Sequence, residues 1–202
     1  RSTVIGDFGL KIPAGVARHE ETSYQTFPAD AYIYTLYPHS HYRGFSVELK
    51  AVTPDGKEEM LLSLPKYDFN WQRDYDPKEP ILVKKGTKLV ARWIYDNSTN
   101  NRANPDPKRD ITWGEQTNEE MMYFRVNYRW ADETVDNIRN DLQSKLMASM
   151  SVGMIDDNVD GLIQEVELKG PMASMKPRFK ALDTDNSGAL DTKEMAASGM
   201  GG

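Results

Sequence analysis

The segment Phe45-Ser46-Val47-Glu48-Leu49-Lys50-Ala51 decides the fold class of the first part of this chain. Its apolar residues alternate with polar ones, so an extended backbone would have one apolar face and one hydrated face. This period of two is typical of a strand that covers a core on one side. On either side of it, β-branched and aromatic residues are concentrated in five further segments, 31–37, 59–64, 81–83, 88–95 and 121–130.

Turn-forming sequences separate these segments, among them Pro54-Asp55-Gly56 and Asn104-Pro105-Asp106-Pro107. Many short strands joined by turns rich in Gly and Pro indicate an antiparallel β-sandwich. We therefore predict a β-sandwich domain at residues 1–130.

The pattern changes near residue 131, where a helical spacing of three and four begins. The apolar residues with this spacing are Val135, Ile138, Leu142 and Leu146. We predict a helix over them, with Asp132 or Thr134 as its N-cap. This helix opens a second, small α-helical domain at residues 131–202.

Composition and charge limit the possible functions. The 202 residues include no Cys, which excludes disulfides, thiolate metal sites and cysteine nucleophiles. Residues 131–202 hold 13 acidic and 7 basic side chains, which accounts for the whole net charge of −6. This argues for a cation and against nucleic acid as a partner of that part.

No apolar run is long enough for a membrane span. The chain begins at Arg1 without an initiator Met, which indicates a processed form or a fragment.

Two twelve-residue segments in the second domain match the calcium-binding EF-hand loop. They are Asp156-Asp157-Asn158-Val159-Asp160-Gly161-Leu162-Ile163-Gln164-Glu165-Val166-Glu167 and Asp183-Thr184-Asp185-Asn186-Ser187-Gly188-Ala189-Leu190-Asp191-Thr192-Lys193-Glu194. Such a loop needs side-chain oxygens at positions 1, 3 and 5, a carbonyl at 7, a group at 9, a bidentate Glu at 12, and Gly at 6. Ile163 and Leu190 stand at position 8, where paired loops meet in a short β-bridge. We predict an EF-hand pair.

The predicted calcium ligands follow from these positions. In the first loop they are Asp156, Asn158, Asp160, Leu162 (through its carbonyl), Gln164 and Glu167; in the second they are Asp183, Asp185, Ser187, Ala189 (through its carbonyl), Asp191 and Glu194. The second loop offers four charged ligands and the first offers three, so we expect the second to bind calcium more tightly. The pattern leaves open whether calcium is regulatory or structural.

The β domain contains the chain's three histidines, two of them in the sequence His39-Ser40-His41. On a strand, both rings of such a pair point to one face and are able to share a metal. The alternative is an incidental surface pair. Met121 and Met122 begin the last β segment, and Met more often packs in a core than binds metal. A thioether beside two imidazoles would select copper, especially Cu(I).

Several ordered motifs resemble one known family. They are Ile12-Pro13-Ala14-Gly15, Pro38-His39-Ser40-His41-Tyr42-Arg43-Gly44, Tyr67-Asp68-Phe69-Asn70-Trp71-Gln72, Asp96-Asn97-Ser98 and Trp113-Gly114-Glu115-Gln116-Thr117, followed by Glu119-Glu120-Met121. Over residues 8–128 the chain resembles the C-terminal catalytic domain of the type II copper, ascorbate-dependent monooxygenases, which include the peptidylglycine and dopamine β-monooxygenases. The closer similarity is to bacterial relatives.

The resemblance implies a jelly-roll-like β-sandwich with one copper held by His39, His41 and Met121, where oxygen binds. Met122 is the less favoured ligand, and His19 would at most support the site. The family's enzymes use a second copper on three His of a preceding domain, which this chain cannot build. The peptidylglycine enzyme's substrate anchors correspond here to Tyr37, Tyr123 and Arg125, which argues against a peptide substrate.

We therefore expect one of two functions, which belong to different classes. The first is the oxygen-binding, catalytic half of a copper-dependent monooxygenase-like oxidoreductase that also binds calcium. It would need an upstream domain or partner chain to supply electrons or a second copper. The alternative is a non-catalytic copper-handling or scaffold module of a larger redox assembly, stabilised by calcium. In either case the similarity to bacterial relatives implies a periplasmic or secreted protein.

Overall fold

The computed structural model describes residues 1–195, except the side chains of residues 170, 171 and 192. Twelve strands and three α-helices occur in this part of the chain. The strands are β1 (Ser2–Asp7), β2 (Lys11–Ile12), β3 (His19–Thr26), β4 (Ala31–His39), β5 (Gly44–Val52), β6 (Glu58–Leu64), β7 (Ile81–Val83), β8 (Lys88–Tyr95), β9 (Ile111–Thr112), β10 (Met122–Trp130), β11 (Ile163–Gln164) and β12 (Ala189–Leu190). The helices are α1 (Asn140–Gly153), α2 (Phe179–Leu182) and α3 (Thr192–Met195).

Two four-stranded antiparallel sheets form the β domain. One has the strand order β1-β10-β4-β7 and the other β3-β8-β5-β6, while β2 pairs with β9. The strands predicted from the sequence all occur, and the mainly β, antiparallel architecture is consistent with a β-sandwich. No helix in the described residues is long and apolar enough to span a membrane.

Residues that alternate along the strands build the core between the sheets. On β10, Phe124, Val126, Tyr128 and Trp130 are all at most 1% exposed, since each points to the same face. On β5, Val47, Leu49 and Ala51 are buried as predicted.

Phe45 does not follow the predicted alternation, because its side chain is 48% exposed. The pairing of β5 with β8 shifts register between Gly44 and Ser46. The shift takes Phe45 out of the regular pleat, so its side chain leaves the buried face.

The predicted helix begins later than the sequence suggested. Val135 is 90% exposed and Ile138 is 64% exposed, and both precede α1. Neither Asp132 nor Thr134 caps the helix, since Arg139 occupies the N-cap position and makes no side-chain capping bond.

Polar contacts hold the segment before α1 in a non-helical form. Arg139 forms an ion pair with Asp132, and its backbone N–H donates to Glu133 Oε1 at 3.1 Å. Thr134 Oγ1 accepts a hydrogen bond from the backbone N–H of Asn137 at 3.1 Å. These local bonds compete with helix formation, which explains the late start.

The chain after the β domain has a small core of its own. It consists of Ile155, Ile163, Leu168, Met175, Phe179, Leu190 and Met195. Helix α1 also contributes Leu142 and Leu146 to the core of the sandwich. The division at residue 130 stays a prediction, and residues 196–202 of the predicted second domain lie outside the described residues.

Candidate metal centres

His39 and His41 come together at the end of β4. The centroids of their rings are 5.2 Å apart, and the rings meet edge to face at 89°. His39 is the last residue of the strand and pairs with Tyr123 on β10. The two imidazoles therefore lie together at one end of the sheet, although only His39 belongs to the strand and His41 follows it.

Hydrogen bonds orient both rings. His39 Nδ1 contacts Gln72 Oε1, and His41 Nδ1 lies 3.3 Å from the carbonyl oxygen of Glu119. Because both partners are acceptors, each Nδ1 carries the proton and each Nε2 keeps a free lone pair. Burial lowers the pKa of both imidazoles, which favours the neutral form that binds metals.

The two adjacent methionines have different environments. Met122 is fully buried in the core of the sandwich. Met121 is partly exposed and precedes the first residue of β10. Tyr123, two residues after Met121, has its ring centroid 5.8 Å from that of His39, so Met121 is close in the chain to a residue that contacts the histidine pair.

The carboxylate of Glu120 ties the histidine segment to the methionine segment. Glu120 is fully buried, and its Oε1 accepts hydrogen bonds from the backbone N–H of both His41 and Met121, the latter at 2.9 Å. It also accepts from Ser40 Oγ at 2.9 Å, and its Oε2 accepts from the Arg43 N–H at 2.9 Å. Burial raises the pKa of Glu120, and these hydrogen bonds oppose the rise.

Sequence reasoning did not identify this role of Glu120. Glu119 and Glu120 are adjacent acids, and no sequence signal separates the one that is buried. The only indication in the sequence was that Glu120 is a charged residue directly before the expected ligand Met121.

Aromatic and basic side chains surround the histidine pair. The ring of Tyr37 stacks near His39 with a centroid distance of 6.3 Å, and the guanidinium of Arg125 lies 4.8 Å from the centroid of Tyr37. Arg125 also forms an ion pair with Asp74 at 2.6 Å. The three positions that differ from the peptidylglycine enzyme's anchors, Tyr37, Tyr123 and Arg125, therefore flank His39 in a connected group.

His19 has a different partner. Its Nε2 lies 3.0 Å from Glu21 Oε2, and its ring centroid is 6.4 Å from that of Tyr95. It is on β3, in the opposite sheet from His39.

The first predicted calcium loop is folded around its acidic residues. Asp156 Oδ2 accepts the Gly161 N–H at 2.7 Å, and Glu167 Oε1 and Oε2 accept the N–H groups of Asp157 and Gln164, both at 2.9 Å. Gly161 has a φ of 93°, which suits Gly at position 6.

The side chains of the first loop also bind one another. Asp160 Oδ2 accepts hydrogen bonds from Asn158 Nδ2 at 3.0 Å and from Gln164 Nε2 at 2.9 Å. Leu162, whose backbone carbonyl is the predicted ligand at position 7, has a side chain that is 38% exposed.

The second loop brings three carboxylates close together. One oxygen from each of Asp183, Asp185 and Glu194 lies within 4.8 Å of the others. Ser187 Oγ donates to the Ala189 carbonyl at 2.9 Å, and Asp191 Oδ1 accepts the Glu194 N–H at 2.9 Å.

A two-stranded sheet joins the loops. Ile163 on β11 is opposite Leu190 on β12, at position 8 of each loop. The 14-residue α1 precedes the first loop, and a 3-10 turn, Glu165–Glu167, forms the last three positions of that loop. The four-residue α2 precedes the second loop. A 3-10 helix, Gly170–Arg178, leads directly into α2.

An antiparallel β domain with two adjacent imidazoles, joined through the Glu120 carboxylate to the segment that contains Met121, belongs to the class of metal-binding β domains. The family model for the copper type II ascorbate-dependent monooxygenase C-terminal domain matches residues 13–147, which is more than half of the chain. The chain belongs to this family, and the family implies copper as the metal. No curated protein matches the chain.

Proposed function

We propose that His39, His41 and Met121 bind one copper ion, and that this site is the oxygen-binding half of a monooxygenase. The observation that carries the proposal is the pair of imidazoles, 5.2 Å apart, with both Nδ1 atoms occupied by acceptors. Two imidazoles and a thioether are a ligand set suited to Cu(I). The burial of Met122 favours Met121 as the third ligand.

When bound, the copper would supply the redox chemistry that activates oxygen. The chain's own residues hold and shape the site. Gln72 and the Glu119 carbonyl fix the imidazole tautomers, and Glu120 holds His41 and Met121 in place. The Tyr37–Arg125 pair and Tyr123 form the wall where a substrate would lie against His39.

Two imidazoles and one thioether provide one copper site, so we also propose a partner for catalysis. An upstream domain or partner chain would supply electrons or a second copper. A jelly-roll connectivity is supported by the strand order, because each connection from β1 to β10 passes to a different sheet, except the one from β5 to β6. A bacterial, periplasmic or secreted origin is proposed from the sequence resemblance alone.

Copper content, measured by elemental mass spectrometry after anaerobic loading with Cu(I), tests the site. We expect one copper per wild-type chain and none in His39→Ala/His41→Ala. The matched control is His19→Ala, which removes the third histidine and should keep one copper. Equal copper in the wild type and the double variant would reject the site.

Oxygen uptake by the copper-loaded chain, with ascorbate as reductant, then tests the activity. Uptake that disappears in the double variant would support the monooxygenase half. If desalted, copper-loaded wild type with ascorbate and without added copper consumes oxygen no faster than the desalted double variant, the copper-handling or scaffold module is favoured instead.

We further propose that residues 156–167 and 183–194 bind two calcium ions as an EF-hand pair. The proposal rests on the Gly161 and Gly188 φ angles of 93° and 84°, on the β11–β12 pairing and on the converging acids of the second loop. Calorimetry should show two sites, with the second loop binding more tightly. Glu167→Gln and Glu194→Gln should each remove one site, and retention of both sites in either variant would contradict the assignment.

A further inference from the structure

A cavity of about 730 Å³ lies between the β-sandwich and the segment that follows it. The end of β1, the start of β3, the end of α1 and the first calcium loop surround it. Its lining is made of different residues from the copper-ligand candidates His39, His41 and Met121. Its volume falls within the range of small-molecule binding sites.

Carboxylates outnumber basic groups in the lining, and the basic groups already have partners. Lys169 forms an ion pair with Asp157, and Lys11 forms one with Asp110 at 3.3 Å. Among the described residues, each lysine that lines the cavity is therefore already neutralised by a carboxylate.

Asp7 and Glu21 form the acidic floor. Asp7 is 8% exposed, and its Oδ1 accepts the Gly9 N–H at 2.7 Å. Burial, together with the charge of Glu21, raises the pKa of Asp7 to about 7. The structure records no hydrogen bond to Asp7 Oδ2 from the described residues, so this buried acid lacks a cationic partner.

The two acids are held in place by their strands. Ser23 Oγ on β3 donates to the Gly6 carbonyl on β1 at 2.9 Å, which joins the strand ends that carry Glu21 and Asp7. Glu21 Oε2 lies 3.0 Å from His19 Nε2. The floor is thus a preformed pair of acids with a single imidazole beside it.

One part of the cavity wall is apolar. Phe8, Ile155, Met154 and Met172 contribute to its walls, and Phe8 is 46% exposed while it packs edge to face on Trp113 at 5.3 Å. A buried acid lacking a cation beside an apolar wall is complementary to a molecule with a charged head and an apolar tail.

We propose that this cavity binds a small organic cation, with N–H donors directed to Asp7 and Glu21 and an apolar tail against Phe8 and Ile155. The cation replaces the partner that Asp7 lacks, and the tail covers apolar surface that is otherwise hydrated. This site is separate from the proposed copper centre, so it stands or fails independently of that function.

Calorimetric titration with hexylguanidinium and with hexylurea tests the proposal on the full chain in excess calcium chloride. The two probes share a planar head and a six-carbon tail, but only the guanidinium is charged. Because the guanidinium head is protonated, hexylguanidinium has no lone pair with which to bind copper. We expect saturable binding of hexylguanidinium at least tenfold tighter than that of hexylurea.

The variant Asp7→Asn/Glu21→Gln should lose at least tenfold in affinity for hexylguanidinium and keep its affinity for hexylurea. The matched control Asp76→Asn/Glu79→Gln removes two charges from an exposed loop and should bind both probes as the wild type does. Thermal unfolding verifies that both variants are folded. Should Asp7→Asn/Glu21→Gln prevent folding, the single variant Glu21→Gln replaces it, with the same direction expected. Equal affinity for the two probes, unchanged affinity in the acid variant, or no saturable binding would overturn the proposal.

Discussion

The phenol of Tyr24, on β3, donates a hydrogen bond to Asp156 Oδ2 at 2.5 Å. Asp156 is the first residue of the first predicted calcium loop, so a strand of the sandwich directly contacts a predicted calcium ligand. Lys88 adds a second contact, because its Nζ donates to the Val159 carbonyl at 2.6 Å and lies 4.6 Å from the centroid of the Tyr24 ring. The first loop is thereby attached to the sandwich.

The first prediction concerns this attachment. We expect Tyr24→Phe to lower the calcium affinity of the first loop about tenfold, because a hydrogen bond that orients a ligand carboxylate contributes on that scale to metal binding. The second loop should be unaffected. Calorimetric calcium titration, which resolves the two sites, is the measurement.

Tyr34→Phe is the control for that titration, since Tyr34 is 40% exposed on β4 and lies far along the chain from both loops. It should leave both affinities unchanged. Equal losses at the two loops in Tyr24→Phe would indicate a general destabilisation and contradict a specific role for Tyr24.

The second prediction concerns the close approach of α1 to β3. A Cβ on Gly153 would lie 1.9 Å from the Tyr24 carbonyl oxygen, which is a backbone atom. Gly153→Ala must therefore displace the helix end, and we expect a loss of about 1–3 kcal/mol in the free energy of unfolding, typical of overpacking. Urea denaturation measures this. Ser144→Ala, on an exposed turn of α1, should change stability by less than about 0.5 kcal/mol, and a similar result for both variants would contradict the clash.

The strands could be predicted from the sequence because their alternation is local. Val47, Leu49 and Ala51 are buried because each neighbour in the pleat points to the opposite face. Phe45 and Ile138 break their patterns for non-local or competing reasons, a register shift and a set of polar contacts respectively. Periodicity carries no information about such effects.

The candidate site could also be predicted only where the sequence signal is local. The spacing of His39 and His41 indicated that the two imidazoles lie close together, although His41 follows the end of β4 rather than lying on it. The burial of Glu120 depends on residues about 80 positions away in the chain, so neither spacing nor composition indicates it. The floor of the cavity at Asp7 and Glu21 likewise exists only because β1 and β3 meet.

The third prediction separates the adjacent methionines. Met121→Leu should lower the Cu(I) affinity at least tenfold, since it removes the proposed thioether ligand. Met122→Leu should keep the affinity and cost less than about 1.5 kcal/mol in stability, because Leu and Met have similar volumes in a core. Competition with a Cu(I) chelator measures the affinity. Loss of copper in Met122→Leu, with retention in Met121→Leu, would reverse the assignment.

The fourth prediction concerns the buried carboxylate. Glu120→Gln replaces an oxygen by an amide that donates, so the hydrogen bonds from His41, Met121 and Arg43 cannot all be kept. We expect the copper affinity to fall about 10–100-fold, the scale for groups that orient metal ligands. The control Glu115→Gln changes an exposed acid of the same loop and should bind copper normally. An unchanged affinity in Glu120→Gln would show that the ligand segments hold their positions without this carboxylate.

The fifth prediction concerns the pH dependence of stability that Asp7 causes. Its pKa of about 7 in the folded protein lies above the ordinary value of 3.8, so the folded chain binds this proton more tightly than the unfolded chain. The contribution of Asp7 to stability is therefore largest below about pH 4 and is lost progressively as the pH rises to about 7.

Asp7→Asn keeps an acceptor for the Gly9 N–H and removes the charge. Its free energy of unfolding, relative to that of the wild type, should therefore increase on the order of 1–4 kcal/mol between pH 4 and pH 8. Urea denaturation of both proteins at these two pH values is the measurement, with the exposed substitution Asp76→Asn as the control that should show no such gain. A difference between wild type and Asp7→Asn that stays constant with pH would mean that Asp7 is ionised at its ordinary pKa, and that the floor of the cavity already holds a compensating charge.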